Sequence, residues 1–496
     1  MIAHNPVASV KVKGQSQDLP MVLNAVIESI AKVVDMAEPV GDGHDLQLAV
    51  GDEGRLRLVA GPPIDPKAEA ADTLTVTLII EKAAGLSPEQ TAAILRAAQR
   101  VPFTGSELQT LRSQMPLTTG LPMLLPPDCL STIAPVLTVH HMTDFLMLVE
   151  AVQAMGVPPQ AITVIDKGYR YPLTHRVDAH LSAEGITVWP WERTADALGD
   201  HAQRASALGR RGLLIDDGGY TLPVLLADRP ELISQFVGLV EQTISGITKL
   251  EPWADHLPVP IFSVAESAVK ATIESYGIAD AAVRNVLALL PEEKFEGQSA
   301  LVIGFGRIGE QIAHVLRTRR MRVAVHDQRM VRLLAAHEHG FFTSRFLSQL
   351  LREHRPLLII GATGRTSLRG EHTAAIIRDC YLVSTTSRDR EFAVEELRRQ
   401  SSHVADLGVL GTQLSLPSGV QVTVVGDGYP INFHHSQSLP NKYSDLILAS
   451  LLVGAATLAA PEHGFARGHN VAASDQVLES CGLLERYYAR FGPEAT

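Results

Sequence analysis

Four places in the chain gather residue types that can do chemistry. His140-His141-Met142-Thr143 offers imidazoles beside a hydroxyl, Asp216-Asp217-Gly218-Gly219 sets two carboxylates in a glycine turn, and Lys270 with Glu274 puts an amine and a carboxylate one helical turn apart. Gly304, Gly306 and Gly309 form G-x-G-x-x-G. An imidazole, a carboxylate and an amine facing a redox cofactor are the equipment for moving protons around a carbon that is being oxidised. Taken singly each has a plainer reading. His141 suits a satisfied core or capping histidine, Asp217 a turn acid beside glycines, and Lys270 with Glu274 a surface i,i+4 pair. What joins them is position, because all three polar clusters follow predicted strands.

The glycine loop sits in a complete set of elements. Ala300 to Ile303 reads as a short apolar strand; Ile308, Ile312, Val315 and Leu316 repeat at helical spacing; Val323 to Val325 make a second strand, which Asp327 ends. The first two glycines permit a tight turn and close approach of a pyrophosphate to bare N–H groups, and the third lets helix and strand pack. Arg307 and Ile308, opening the helix, join Gly304, Gly306 and Gly309 as cofactor-binding candidates. Asp327 would accept hydrogen bonds from a ribose diol and repel a 2′-phosphate. The expected cofactor is therefore NAD rather than NADP, a preference tempered by the nearby Arg329 and Arg332.

Beyond these elements, the 496 residues are too many for one ordinary core. Residues 1–115 read as an N-terminal α+β domain with no catalytic constellation. Its signals are a helical face of Val22, Leu23, Val26, Ile27, Ile30, Val33 and Val34, alternating strands around Gly51 to Gly54, and a capping box at Ser87 to Gln90. After a proline-rich stretch at Pro122 to Pro127, strands and helices alternate, predicting strands at Val136 to Val139, Ile162 to Ile165, Thr187 to Trp189 and Leu213 to Ile215. A second series begins at Leu301 and includes Val323 to Val325, Leu357 to Ile360 and Tyr381 to Ser384. The fold class is thus α/β: two doubly wound parallel-sheet, Rossmann-like domains plus the small N-terminal domain. The expected boundaries are 116–275 for a substrate and catalytic domain completed by about 436–475, 276–435 for the NAD-binding domain, and 476–496 for a C-terminal helix.

Composition narrows the setting. A formal charge of −11 argues against nucleic acid and anionic membranes as partners. Cys129, Cys380 and Cys481 are odd in number and widely spaced, which predicts neither a disulfide framework nor a cysteine zinc site and suits a cytoplasmic protein. The start of the chain lacks the apolar stretch of a secretory signal. The apolar run Leu446 to Ala460, rich in small residues, reads as a buried helix.

From about Pro135 to Leu458 the chain resembles the adenosylhomocysteinase (S-adenosylhomocysteine hydrolase) family. The matching motifs, in order, are HMT at 141–143, DDGG at 216–219, GLVEQTISGITKL at 238–250, VPIFSVAESAVKATIESYG at 259–277, the GFGRIG loop, GATG at 361–364 and INF at 431–433. The resemblance implies tightly held NAD that oxidises a ribose hydroxyl of the substrate to a ketone. The neighbouring C–H then loses a proton, a thiol leaves, water adds, and the hydride returns. It implies Lys270, with Glu274 nearby, as base at the oxidised hydroxyl, and Asp217 and His141 for the other protons. Thr243, Thr363, Gly364 and Asn432 would hold the cofactor, with Asn432 at the nicotinamide carboxamide, and Thr143 and Gln242 would lie at the substrate.

The departures fall where the family reads its substrate. Gln242 stands for a carboxylate, Glu274-Ser275 for Asp-Asn, and Phe145 for an adenine-contacting polar residue; Leu439 and Ser387 stand for family histidines. His434 and His435 are new polar groups at that rim, candidates to replace a lost histidine. No third ligand accompanies them, so no metal is assigned. The chain ends without the Lys-to-Tyr arm that in the family closes the cofactor site of a neighbouring protomer. Such exchanges predict weak recognition of adenosine. Three readings follow. The favoured one is an NAD-dependent enzyme using internal oxidation for elimination or hydrolysis on a small-molecule substrate other than S-adenosylhomocysteine. The others are a catalytically silent NAD-binding regulatory or interaction protein and a simple NAD-dependent dehydrogenase. A homo-oligomer, dimer or tetramer, is expected from the resemblance.

Overall fold

The computed structural model describes residues 6–13, 18–61, 73–169, 171, 173–386, 390–433 and 441–493. The chain forms two compact units: Met1–Ile215 with Val224–Val237, and Asp216–Pro223 with Gly238–Thr496.

The first unit opens with a five-stranded antiparallel sheet in the order Val7–Lys13, Thr73–Lys82, Gly54–Gly61, Asp45–Val50, Val40–Asp42. Alternation places Leu56 and Leu58 on one face, paired with Leu48 and Leu46 of the neighbouring strand. That face is covered by the helix Leu19–Ala31, which buries Leu19, Val22, Leu23, Val26 and Ile30. Each such side chain contributes about 1.5–3 kcal/mol. The helix ends at Ala31, so Val33 and Val34 pack against the core from the following turn and not from its face. The helix Pro88–Ala97 starts at the expected capping box, with Ser87 Oγ accepting from Gln90 N at 3.1 Å and Gln90 Oε1 from Ser87 N at 2.9 Å. The same unit carries the strands Ile133–Thr138, Thr163–Asp166 and Thr187–Pro190, paired in parallel, and Arg211–Asp216.

The second unit is built on an eight-stranded sheet in the order Phe342–Thr343, Arg322–His326, Ser299–Ile303, Leu358–Gly361, Cys380–Ser384, Gln421–Val425, Gly411–Ser415, His403–Asp406. Its first six strands are parallel; the last two add antiparallel pairs at one edge, which the strand spacing did not predict. The central strand is buried on both faces. Ala300 and Val302 enter one core with Ile312, Ala313 and Leu316, while Leu301 and Ile303 enter another with Leu350, Leu351 and Leu382. Such two-sided burial explains why the strand reads as a continuous apolar run. Two further parallel strands, Phe236–Glu241 and Pro260–Ser263, carry the polar turns described below. The helix Asn441–Ala459 contains the apolar run. Its segment Lys442–Ala459 is long and apolar enough to cross a membrane by composition, yet 78% of it is buried inside the protein, as a core helix would be.

Candidate functional site

The glycine loop has the geometry its spacing predicts. Gly304 takes φ +97°, and a Cβ there would lie 2.9 Å from the Ala362 carbonyl, so no side chain fits. At Gly309 a Cβ would lie 1.9 Å from the Gly304 oxygen, which is the close helix-to-strand contact expected of a third glycine. Gly306 differs: a Cβ there would meet nothing nearer than the Arg332 guanidinium, at 3.4 Å. The helix Arg307–Thr318 starts directly after it. The open side of the loop is therefore at Gly306, before a helix N-terminus, where an anionic group is favoured. Asp327 accepts from Phe305 N and Arg329 N, both at 2.7 Å, with Arg332 Nη1 3.9 Å away. Each carboxylate oxygen keeps a lone pair for a further donor. A cavity of about 690 Å³ borders this residue, lined also by Met330, Arg345 and Phe346.

Thr363 and Gly364 follow the strand Leu358–Gly361 and are bound to a residue that no sequence motif announces. The fully buried Glu391 carboxylate accepts from Thr363 N at 3.1 Å, Thr363 Oγ1 at 2.8 Å, Gly364 N at 3.3 Å and Ser367 Oγ at 2.6 Å, and is bonded to Thr386. Gly361 has no room for a Cβ, which would fall 2.2 Å from Glu391 Cγ. The glutamate lies 28 residues along from Thr363, with no local spacing to reveal it.

Three polar turns in the second unit are tied to one another. Asp216 Oδ2 accepts from Tyr220 N, Thr221 N and Thr221 Oγ1, at 2.8, 2.7 and 2.5 Å. Its carbonyl accepts from Gln242 N at 2.8 Å. Glu241 Oε1 accepts from Gly218 N at 3.1 Å, Thr243 N at 2.8 Å and Thr243 Oγ1 at 2.9 Å, while the Glu241 carbonyl accepts from Val264 N and Ala265 N. Lys249 Nζ donates to the Gly218 carbonyl at 2.5 Å and lies over the Tyr220 ring. Burial first, and then the neighbouring Asp216 carboxylate, pushes the Glu241 carboxyl well above the usual carboxylate range. Glu241 Oε2 and Gln242 Oε1 are buried polar atoms with no hydrogen-bond partner among the described residues. Asp217 is buried in the same turn. The Thr243 hydroxyl is committed locally, donating to Glu241 and accepting from Gly246 N at 3.0 Å as a helix cap.

Lys270 and Glu274 do form an i,i+4 ion pair, 2.5 Å long, but not a surface one, since their side chains are 15% and 6% exposed. Residues Lys270–Glu274 form one π-helical turn, a widening that α-helical spacing does not reveal and that favours functional sites. Ser267 Oγ accepts from Lys270 N at 3.2 Å, and Ser275 Oγ donates to the Lys270 carbonyl at 3.3 Å. The chain continues into the helix Ser275–Leu289, whose Asn285 Nδ2 donates to the Ile431 carbonyl at 2.9 Å and the Asn432 carbonyl at 3.3 Å. The π-turn carrying the amine thus runs directly into the helix that holds the buried Asn432 near its end.

His141 and Thr143 belong to the first unit. His141 Nδ1 lies 3.0 Å from Asp178 Oδ1 and 3.9 Å from Asp166, its ring stacks on Phe145 at 5.4 Å, and its buried Nε2 has no partner among the described residues. Nδ1–H donating to Asp178 leaves the lone pair on Nε2. Phe145 therefore packs against the imidazole. Thr143 is half-buried beside it in sequence. His140 Nε2 lies 3.1 Å from Lys167 Nζ, and its Nδ1 is bonded to Tyr171. His434, His435, Ser387 and Leu439 lie outside the described residues.

Fold and loop together define an α/β protein with a dinucleotide-type glycine turn. No protein-family profile matches the chain. An uncharacterised protein of Mycobacterium tuberculosis is 30% identical over 330 residues, 61% of this chain and 59% of its own length. S-inosyl-L-homocysteine hydrolase of Methanopyrus kandleri is 24% identical over 63% of this chain and 73% of its own, and an adenosylhomocysteinase of Gloeothece citriformis 25% identical over 48% and 56%. The chain thus spans under two thirds of the mycobacterial and Gloeothece proteins. Among solved structures, a dipicolinate synthase component from Bacillus halodurans superposes with a TM-score of 0.39 at 12% identity, over 68% of this chain and all of that one. The chain is thus similar to adenosylhomocysteinases at about a quarter identity over about half of its length.

Proposed function

We propose that this chain is an NAD-dependent enzyme that oxidises a substrate hydroxyl internally to promote elimination or hydrolysis beside it, on a substrate other than S-adenosylhomocysteine. The single observation carrying this reading is the largely enclosed Lys270–Glu274 pair, set in a π-turn in the same compact unit as the glycine loop. Bound NAD supplies reversible hydride acceptance. The chain supplies its cradle. Gly306 leaves the pyrophosphate room, Asp327 keeps acceptor capacity for a ribose diol beside a cavity of about 690 Å³, and the Asn432 amide suits a carboxamide.

Proton handling falls to the chain's own groups. Lys270 Nζ is the group placed to take the hydroxyl proton, with Glu274 Oε2, 2.5 Å away, holding it in position. Asp217 serves another proton transfer in the same unit, and in the first unit Asp178 holds the His141 tautomer that leaves Nε2 able to accept a proton, as the acid of a triad does. The exchanges at Gln242 and Phe145 support a changed substrate, because an amide and an aromatic ring replace polar contacts that adenosine recognition needs. A relative named for S-inosyl-L-homocysteine supports a scaffold that accepts other nucleoside thioethers. The same reading carries a small-molecule substrate, a cytoplasmic setting and a homodimer or tetramer.

The test is to denature purified protein, identify released nicotinamide dinucleotide, and follow reduced-cofactor absorbance with a panel of nucleosides and thioethers. Reduction that rises and reverses is expected. Net NADH accumulation would instead favour the simple dehydrogenase, and bound NAD inert to the whole panel the silent binder.

A further inference from the structure

Glu310 and His314 stand one turn apart on the helix that follows the glycine loop, and His339 ends the neighbouring helix Met330–Glu338. His314 Nε2 lies 3.3 Å from His339 Nδ1, which lies 3.7 Å from Glu310 Oε1, and the three ligand atoms fall within 4.8 Å of one another. Around a tetrahedral zinc ion with bonds of about 2.0–2.1 Å, ligand atoms stand about 3.3–3.5 Å apart. The first separation falls in that range, and the others reach it by small side-chain movements. Two imidazoles and a carboxylate are also a recognised zinc donor set, one that leaves a fourth position for water. It is the one such group of three among the described residues.

We propose that Glu310, His314 and His339 form a zinc site behind the glycine loop. The His339 ring meets Phe305, the residue between the first two glycines of that loop, edge-on at 6.0 Å, so the ion would brace the loop through that ring contact. Arg317 competes with the ion in its absence. Its Nη2 donates to His314 Nδ1 at 2.9 Å, which places the imidazole proton on Nε2, and its Nη1 donates to the His339 carbonyl at 2.6 Å. Zinc on Nε2 requires the proton to move to Nδ1, so the exposed Arg317 must swing away. A glutamine at 317 removes the opposing charge and offers a carbonyl to the Nδ1 proton, as carbonyl acceptors behind metal-bound imidazoles do.

With 19 histidines in the chain, stray weak sites are expected, so the test needs site-directed loss. Zinc chloride is titrated calorimetrically into full-length chelator-treated protein and its His339→Gln, His314→Gln and Arg317→Gln variants, with circular dichroism verifying folding. One site is expected in the parent, lost in both histidine variants and about tenfold tighter in Arg317→Gln. Cobalt(II) substituted into the parent should give tetrahedral ligand-field bands without a thiolate charge-transfer band. No binding by the parent, binding unaffected by either histidine substitution, or a thiolate band would each overturn the proposal.

Discussion

At the scale of single residues, the Lys270 amine and the buried Glu241 carboxyl make separate, measurable contributions. Lys270→Met should lower turnover by about 10²–10⁴-fold, the usual worth of a positioned acid–base group, while released-nucleotide assays find the bound cofactor unchanged. Glu241 makes a separate prediction. Its carboxyl titrates well above the ordinary range when folded, so the folded state binds more protons than the unfolded state between the two values. Stability should therefore be undiminished by this group below the ordinary carboxylate range and fall as pH rises through the window above it. Glu241→Gln should flatten that slope in denaturant titrations run across pH; an unchanged slope would remove Glu241 as its source. Legibility at this scale was uneven. Asp217, Lys270 and the loop glycines declare themselves through neighbours in sequence. Glu391 and Asp178 do not, because each acts on a partner brought near only by the tertiary fold, 28 residues from Thr363 and 37 from His141.

At the scale of elements, short turns set by glycines and caps position the chemistry. Gly246 has no room for a side chain, since a Cβ there would lie 2.1 Å from Glu241 Cδ, in a side chain pinned by three donors. Gly246→Ala should cost about 1–3 kcal/mol, read as a lower melting temperature, and should disturb Thr243 and Gln242 with it. Asn285 tests the coupling along the helix from Lys270 to Asn432. Asn285→Ala strips both carbonyls of their donor, which should cost about 1–3 kcal/mol and weaken cofactor retention measured by dialysis. Helices and strands of the second unit were readable because apolar periodicity and glycine punctuation agree from Ser299 to Asp327. The π-turn was not, because Lys270 and Glu274 have the same sequence spacing in an α-helix. Nor was the antiparallel edge, Gly411–Ser415 with His403–Asp406, two short strands, one mostly buried and one mostly exposed, that carry little apolar alternation.

At the scale of the whole molecule, one buried ion pair holds much of the first unit together. Arg176 bonds both oxygens of Glu107, at 2.9 and 2.7 Å, and the carbonyls of Lys11, Val101 and Pro102, joining the antiparallel sheet to the helix Thr174–Ala183. Arg176→Ala leaves a buried carboxylate uncompensated and should cost about 3–5 kcal/mol, checked by denaturant unfolding. The α/β architecture was legible from alternating strands and helices, whereas a long-range tie such as this one has no sequence signature. The central claim, internal oxidation governed by Lys270, is tested most directly by rapid mixing of a reactive thioether or nucleoside with the NAD-loaded parent and its Lys270→Met variant. The account predicts a nicotinamide absorbance that rises and returns in the parent and stays flat in the variant at equal cofactor content. An equal rise and return in both would contradict it.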